Sequence, residues 1–275
     1  MKETEKIVSS VQIEEKKRAK EKIHLFLIST VSVIIFLGIW EMAVRLAWVN
    51  PQFVCSPSEA FLAFVDKLTQ PNPDGAVQGV HIWESLKLAL IGYVAAAVIG
   101  VPLGLLLGYY HTFDRLVNPI FEIIRPIPPI AWIPLSVIWL GIGTTAKCFI
   151  IFLAAFVPCV INSYTGVKLT NSVLIDVAKT CGASRWKIFI TVCTPSAMPL
   201  AFTGIRVALG NAWSTLVAAE MLSATAGLGY MIQQGRALGR SDIIIVGMLT
   251  IGVIGAVLTA VLNKLENRVI RWRAK

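Results

Sequence analysis

Charge is what this sequence has least of. Asp, Glu, Lys and Arg make up 15% of its 275 residues, against roughly a quarter in an ordinary soluble domain. Apolar residues reach 56% and the mean hydropathy is +0.71. A water-soluble fold of this length could not hide so much apolar surface, and a chain this apolar does not stay disordered. Histidine is confined to His24, His81 and His111, which stand apart from one another. The five cysteines (Cys55, Cys148, Cys159, Cys181, Cys193) make no CxxC pair, and four lie in or beside apolar runs, where Cys behaves as a small hydrophobe. The sequence therefore offers no disulfide framework, no metal site and no catalytic Ser/His/Asp set. Gly141–Cys148 mimics a phosphate-binding loop, but it lacks the second glycine and the Ser/Thr that would hold Mg²⁺.

What is there is a set of long apolar runs. A bilayer-crossing helix needs about 20 mainly apolar residues. Six stretches qualify: Ile23–Trp40, Leu88–Tyr110, Pro126–Ala146, Cys148–Val167, Pro195 to about Met221, and Ile243–Asn263. The lead Met1–Lys22 carries five glutamates and no clear small-residue cleavage site, so the first run is expected to be an uncleaved helix rather than a signal peptide. The expected organisation is a tail over 1–22, a first transmembrane helix over 23–48, and an external loop over 49–83 with a short helix at Ser58–Leu68. A five-helix core follows over 84–264, with an inward loop at about 168–194 and a C-terminal tail over 265–275.

Basic residues fix the direction. Seventeen of them fall in the N-terminal tail, at Arg115, in the loop holding Lys168, Lys179, Arg185 and Lys187, and at the C-terminal end, against about six in the alternate loops. By the positive-inside rule both termini are cytoplasmic. A net charge of +9 clustered in this way suits membrane topology, with no nucleic-acid partner.

Three segments carry more than hydropathy. From Asp176 to Pro195 a helix-forming start meets Gly182, then Arg185, Trp186 and Lys187, then Pro195, which suits a first helical turn. Two short helices meeting at a glycine would form a knob on the inner face; a solvated loop lying on lipid headgroups is the plainer alternative. Four prolines between Pro126 and Pro134 cannot all sit in regular helix, so extended backbone should follow Arg125, with a helix starting near Pro129. Irregular backbone at membrane depth survives only where protein or a cavity covers it. Finally, Arg206, Trp213 and Glu220 are seven apart and share one helical stripe, which covers roughly 21 Å. An arginine there faces a wet path or a structural partner. Gly100, Gly104 and Gly108 read as a close-packing face.

The spacing of Asp176, Ala178, Gly182, Ala183 and Pro195 resembles the EAA loop of type I ABC importer permeases, with Asp176, Val177 and Thr194 departing from the usual residues. Arg125-Pro-Ile-Pro-Pro-Ile-Ala-Trp-Ile-Pro134 with Trp139–Gly143, and Leu209–Glu220 with Gly227-Leu-Gly229, resemble the taurine, alkanesulfonate and nitrate permease subfamily, its taurine branch most closely. The resemblance implies an all-α membrane subunit of six transmembrane helices in the bacterial cytoplasmic membrane. It implies a second permease copy, two ABC ATPases and an external substrate-binding protein as partners, with a small anionic or zwitterionic substrate such as taurine. ATP and Mg²⁺ would reside on the ATPases, and no cofactor is expected here. Asp176, Ala178, Gly182, Ala183, Arg185 and Pro195 are then the coupling-loop candidates. Arg125, Pro129, Pro134, Arg206, Trp213 and Glu220 are the candidates for the translocation path. An ion-coupled transporter would favour paired intramembrane acids, whereas Glu41, Glu84, Glu122 and Glu220 fall near span ends; a membrane enzyme would need the catalytic cluster the spans lack.

Overall fold

The computed structural model describes residues 21, 24, 27–50, 53–223 and 225–269, and the expectations for the two tails fall largely outside them. The described residues form helices and turns, divided into two compact units, 1–63 and 64–275.

In the first unit, α1 (Leu27–Arg45) is long and apolar enough to cross a bilayer, and most of its side chains are exposed, as lipid contact requires. It ends at Arg45, three residues short of the expected bound at 48. Glu41 pairs with Arg45 at 2.6 Å and accepts from the Ser58 hydroxyl at 2.8 Å. Helix α2 (Pro57–Thr69), close to its expected bounds, starts on a capping box: the Glu59 carboxylate accepts from Ser56 N–H at 2.9 Å, and Ser56 Oγ from Glu59 N–H at 3.3 Å. Pro57 occupies the first turn, where its missing donor costs nothing.

The second unit is built on α3 (Gln78–Tyr109), α6 (Thr144–Lys168) and α9 (Thr194–Ser223). Their shared core includes Ala96, Ile151, Ala155, Cys159, Ala208, Ala212 and Leu216. So many alanines are the means of bringing three backbones close without a hydrophobic drive from water. The glycines of α3 do the same against α6: a Cβ at Gly92 would lie 2.7 Å from Ile151, at Gly108 2.7 Å from Val167, and at Gly104 would strike the Val160 carbonyl. That face is spent inside the chain. Helix α3 begins ten residues before the expected Leu88, because Gln78, His81 and Ser85 are polar yet wholly buried. Hydropathy reads such residues as loop.

The third expected span, Pro126–Ala146, is not one helix. Helix α4 (His111–Ile124) runs through a stretch read as a loop, and α5 (Ile133–Leu140), preceded by a 3₁₀ turn at Pro129–Trp132, is far too short to cross alone. The two segments meet at 87° and qualify as one broken span, so among the described residues five helices are long and apolar enough to cross, or six with this pair. The prolines explain the break: Pro128 is extended (φ −58°, ψ 136°), and Pro134 sits in the first turn of α5. Arg125 itself remains helical as the C-cap of α4. Asp114 anchors α4, accepting from Tyr164 at 3.1 Å and pairing with Lys168 at 3.2 Å on α6.

After α6 come α7 (Ser172–Thr180) and α8 (Arg185–Ile188), then a π-helical turn at Phe189–Cys193 that feeds directly into α9. The widened turn is the local consequence of Pro195, which has no N–H for the carbonyl one turn back. Thr194 Oγ supports it by donating to Phe189 O at 2.9 Å. Helix α10 (Leu228–Ala237) and α11 (Ser241–Val269) complete the chain.

Candidate functional site

Three places concentrate polar groups: the α7–α8 knob, a cavity beneath the α4–α5 break, and the opposite end of the bundle.

The knob is built by local chemistry. Asn171 caps α7, accepting from Val173 N–H at 2.9 Å, and Ser184 caps α8, accepting from Lys187 N–H at 3.3 Å. Between them Gly182 takes φ +77° and a Cβ there would meet nothing within 4 Å. The glycine is therefore required for its left-handed backbone and not, within this chain, for close approach. Ala178 and Ala183 pack inward against Leu105, Ile188, Phe189 and Cys193, and Tyr109 of α3 donates to Arg185 O at 2.8 Å. Asp176 points outward, paired with Lys179 at 3.0 Å. Val173, Leu174, Val177 and Trp186 are all more than half exposed. The knob thus has a seated side and a bare apolar side. Pro195 lies above it, inside the continuous α8–α9 helical run.

The cavity measures about 460 Å³, within the range of small-molecule sites. Leu103, Phe121, Trp132 and Phe156 make it apolar, while Arg125 and Asn211 supply polarity, and Pro129 closes one wall. The guanidinium of Arg125 is held by Glu122 at 3.1 Å, both half-exposed. Of the path candidates, this cavity gathers Arg125 and Pro129; Pro134 lies near it in α5.

The heptad stripe of α9 lies elsewhere. Arg206 pairs with Glu266, and Trp213 donates from its indole to Ile251 O at 3.0 Å, both on α11. Glu220 is 1% exposed, accepting from the Ser85 hydroxyl at 2.7 Å and Gly229 N–H at 2.8 Å. The stripe ties α9 to its neighbours, while Arg206 stays 40% exposed and Glu220 borders a cavity, and Glu266 joins it as a residue that the spacing did not single out. The exposed side of α9 carries Val207, Gly210, Asn211 and Ser214. Their spacing of three and four residues sets Asn211 and Ser214 on one exposed face of an otherwise apolar helix.

At the far end of α9, three successive backbone N–H groups are clamped. Gly227 N–H donates to His81 Nδ1 at 3.1 Å, Leu228 N–H to Ser85 Oγ at 2.8 Å, and Gly229 N–H to Glu220. Accepting at Nδ1 leaves the His81 proton on Nε2, which faces Asp74 at 3.2 Å. Asp74 in turn pairs with Lys67, whose ammonium also donates to Ala76 O at 2.6 Å. Gly227 has φ +134°, and a Cβ there would stand 2.5 Å from the Glu220 carboxylate. His81 is thus far from the isolated residue its sequence position suggests.

The arrangement is that of a membrane-embedded helical bundle with a protruding pair of short helices. Residues 100–273 match the family described as binding-protein-dependent transport system inner membrane component. The chain belongs to this family and is a multi-pass inner-membrane permease subunit of an ABC importer. It is similar to a putative ABC transporter permease of Methanocaldococcus jannaschii, 45% identical over 69% of this chain and 71% of that one. It is also similar to the taurine transport system permease protein of Escherichia coli, 35% identical over 88% of each. The nitrate import permease protein of Leptolyngbya laminosa is 30% identical over 88% of this chain and 87% of its own. Among solved structures, the inward-facing MetNI methionine ABC transporter shares the fold, with TM-score 0.56 and 22% identity over 70% of this chain and 94% of that chain.

Proposed function

We propose that the chain forms the translocation path for a small organic anion, taurine or a related sulfonate, by way of Arg125, Pro129 and the Asn211–Ser214 face of α9. The observation that carries this reading is the 460 Å³ cavity, apolar apart from Arg125 and Asn211, in a chain alike over most of its length to a taurine permease. One guanidinium gives an anion a favourable potential without a deep trap, and a site meant for passage must release what it admits. Pro134 belongs to this region as the first turn of α5, holding the irregular wall in place.

The knob faces the cytoplasm in this reading, with both termini on the same side. Its bare face, Val173, Leu174, Val177 and Trp186 beside Asp176 and Arg185, is where a partner ATPase would sit. Gly182 and Pro195 fix the angle between that face and α9. Nucleotide-driven closure of two ATPases would push the knobs of two permease copies and tilt α9, turning the cavity toward an external binding protein. ATP and Mg²⁺ stay on the ATPases. Arg206, Trp213 and Glu220 serve as the fixed seam around which this motion is transmitted.

The test is uptake of radiolabelled taurine by membrane vesicles containing the permease, its ATPases and its binding protein. ATP-dependent uptake, inhibited by alkanesulfonates more than by nitrate, is the expected result. ATP-dependent uptake of nitrate alone would move the substrate to the inorganic anions, and uptake driven by an ion gradient without ATP would overturn the mechanism.

A further inference from the structure

A second polar cavity, of about 390 Å³, lies at the end of the bundle away from the knob. Glu84 and Lys87 of α3, Thr144 and Lys147 of α6, Glu220 of α9 and Thr225 line it. Four charges face this space, and three of them are already committed. Lys87 pairs with Glu84 at 2.7 Å. Both oxygens of Glu220 accept from Ser85, and one also from Gly229 N–H. Lys147 is half-buried, and among the described residues its ammonium has no hydrogen-bond or ion-pair partner. Glu84 and Glu220 share its pocket, but an ammonium partly removed from water still lacks a hydrogen-bond acceptor, which an oxyanion would supply.

We infer that this pocket is an anion entry site, in which Lys147, with the Thr144 and Thr225 hydroxyls, holds the oxyanion group of a small organic anion before it reaches the Arg125 cavity. The ligand's role as the transported substrate rests on the importer reading; the binding site itself does not. The carboxylates on the same walls set a limit on affinity, since Glu220 opposes the ligand's charge, and this suits a site of passage. Lys147 belongs to the segment that mimics a phosphate-binding loop in sequence, and its chemistry here is oxyanion capture without a nucleotide.

The experiment titrates purified full-length permease, in a non-ionic detergent, with methanesulfonate and separately with methylammonium, read by calorimetry. Wild type should bind methanesulfonate and not methylammonium. Lys147→Met should weaken binding about ten-fold or more, and Lys147→Arg should stay within about three-fold of wild type, since a charge-assisted contact is removed in one and kept in the other. Both variants should unfold at the wild-type temperature, because no partner within the chain is lost. Equal methanesulfonate affinity in wild type and Lys147→Met, preferential binding of methylammonium, or a Lys147→Met protein that no longer folds would each overturn the proposal. Taurine uptake by wild-type vesicles is scored independently: if it fails while Lys147-dependent binding persists, the taurine path reading falls and the pocket stands.

Discussion

The two ends of the bundle are built on opposite plans. Away from the knob, one cluster of polar side chains is buried together: Lys67 and Asp74 are 1% and 0% exposed as a pair, with His81, Ser85 and Glu220 closing around Gly227–Gly229. At the knob, the one charged pair of α7 is more than 60% exposed on both sides, and apolar side chains face outward. Buried polar networks fix one arrangement and make departure costly. An exposed apolar face has its partner elsewhere. The second unit thus holds a buried polar network at one end and an exposed apolar face at the other, the contrast that the proposed drive from one side calls for.

Breaking the rigid end should have the largest effects. Gly227→Val puts a branched Cβ against the Glu220 carboxylate at a left-handed φ, a penalty of roughly 3 kcal/mol or more. The yield of monodisperse permease on size exclusion should collapse. Lys67→Met strands Asp74 beside His81 and should cost about 3–5 kcal/mol; thermal unfolding measures it, and adding Asp74→Asn should recover part of the loss. If either variant were as stable as wild type, the contrast between the ends would be lost.

The seam and the knob sharpen the comparison at smaller cost. Arg206→Gln should lower stability by about 1 kcal/mol, less than a wholly buried pair because Arg206 is 40% exposed. Glu266→Gln should do the same, and the double variant should cost less than the sum of the two when thermal unfolding is compared. At the knob, Gly182→Asn should be tolerated because Asn accepts the left-handed region, whereas Gly182→Val should cost about 1–2 kcal/mol and uncouple ATP hydrolysis from transport. Asp176→Asn, on an exposed pair, should change thermal stability by less than about 0.5 kcal/mol.

The elements legible in the sequence are those where one physical signal dominates. The alternation of long apolar runs with basic loops located α1, α6, α9 and α11, and the turn chemistry around Gly182 located the knob. The sequence stayed opaque where polar residues are buried by tertiary partners. Gln78, His81 and Ser85 look like loop residues until Thr250, Gly227 and Glu220 are brought to them across more than 130 residues. Likewise the Arg206–Trp213–Glu220 stripe is real as a stripe, but no spacing within α9 could reveal Glu266 and Ile251 on α11, or Ser85 and Gly229 beside Glu220. Gly182 was legible as the bend between two short helices, and its φ of +77° is the backbone reason for that bend.

One paired measurement separates the proposed path along the Asn211–Ser214 face from the seam at Arg206: taurine uptake per assembled complex for Asn211→Leu and for Arg206→Gln. A bulky apolar side chain at Asn211 should abolish most uptake while leaving the amount of complex unchanged, and Arg206→Gln should reduce the amount of complex while leaving uptake per complex unchanged. The reverse pattern, with transport per complex lost at Arg206 and kept at Asn211, would contradict it.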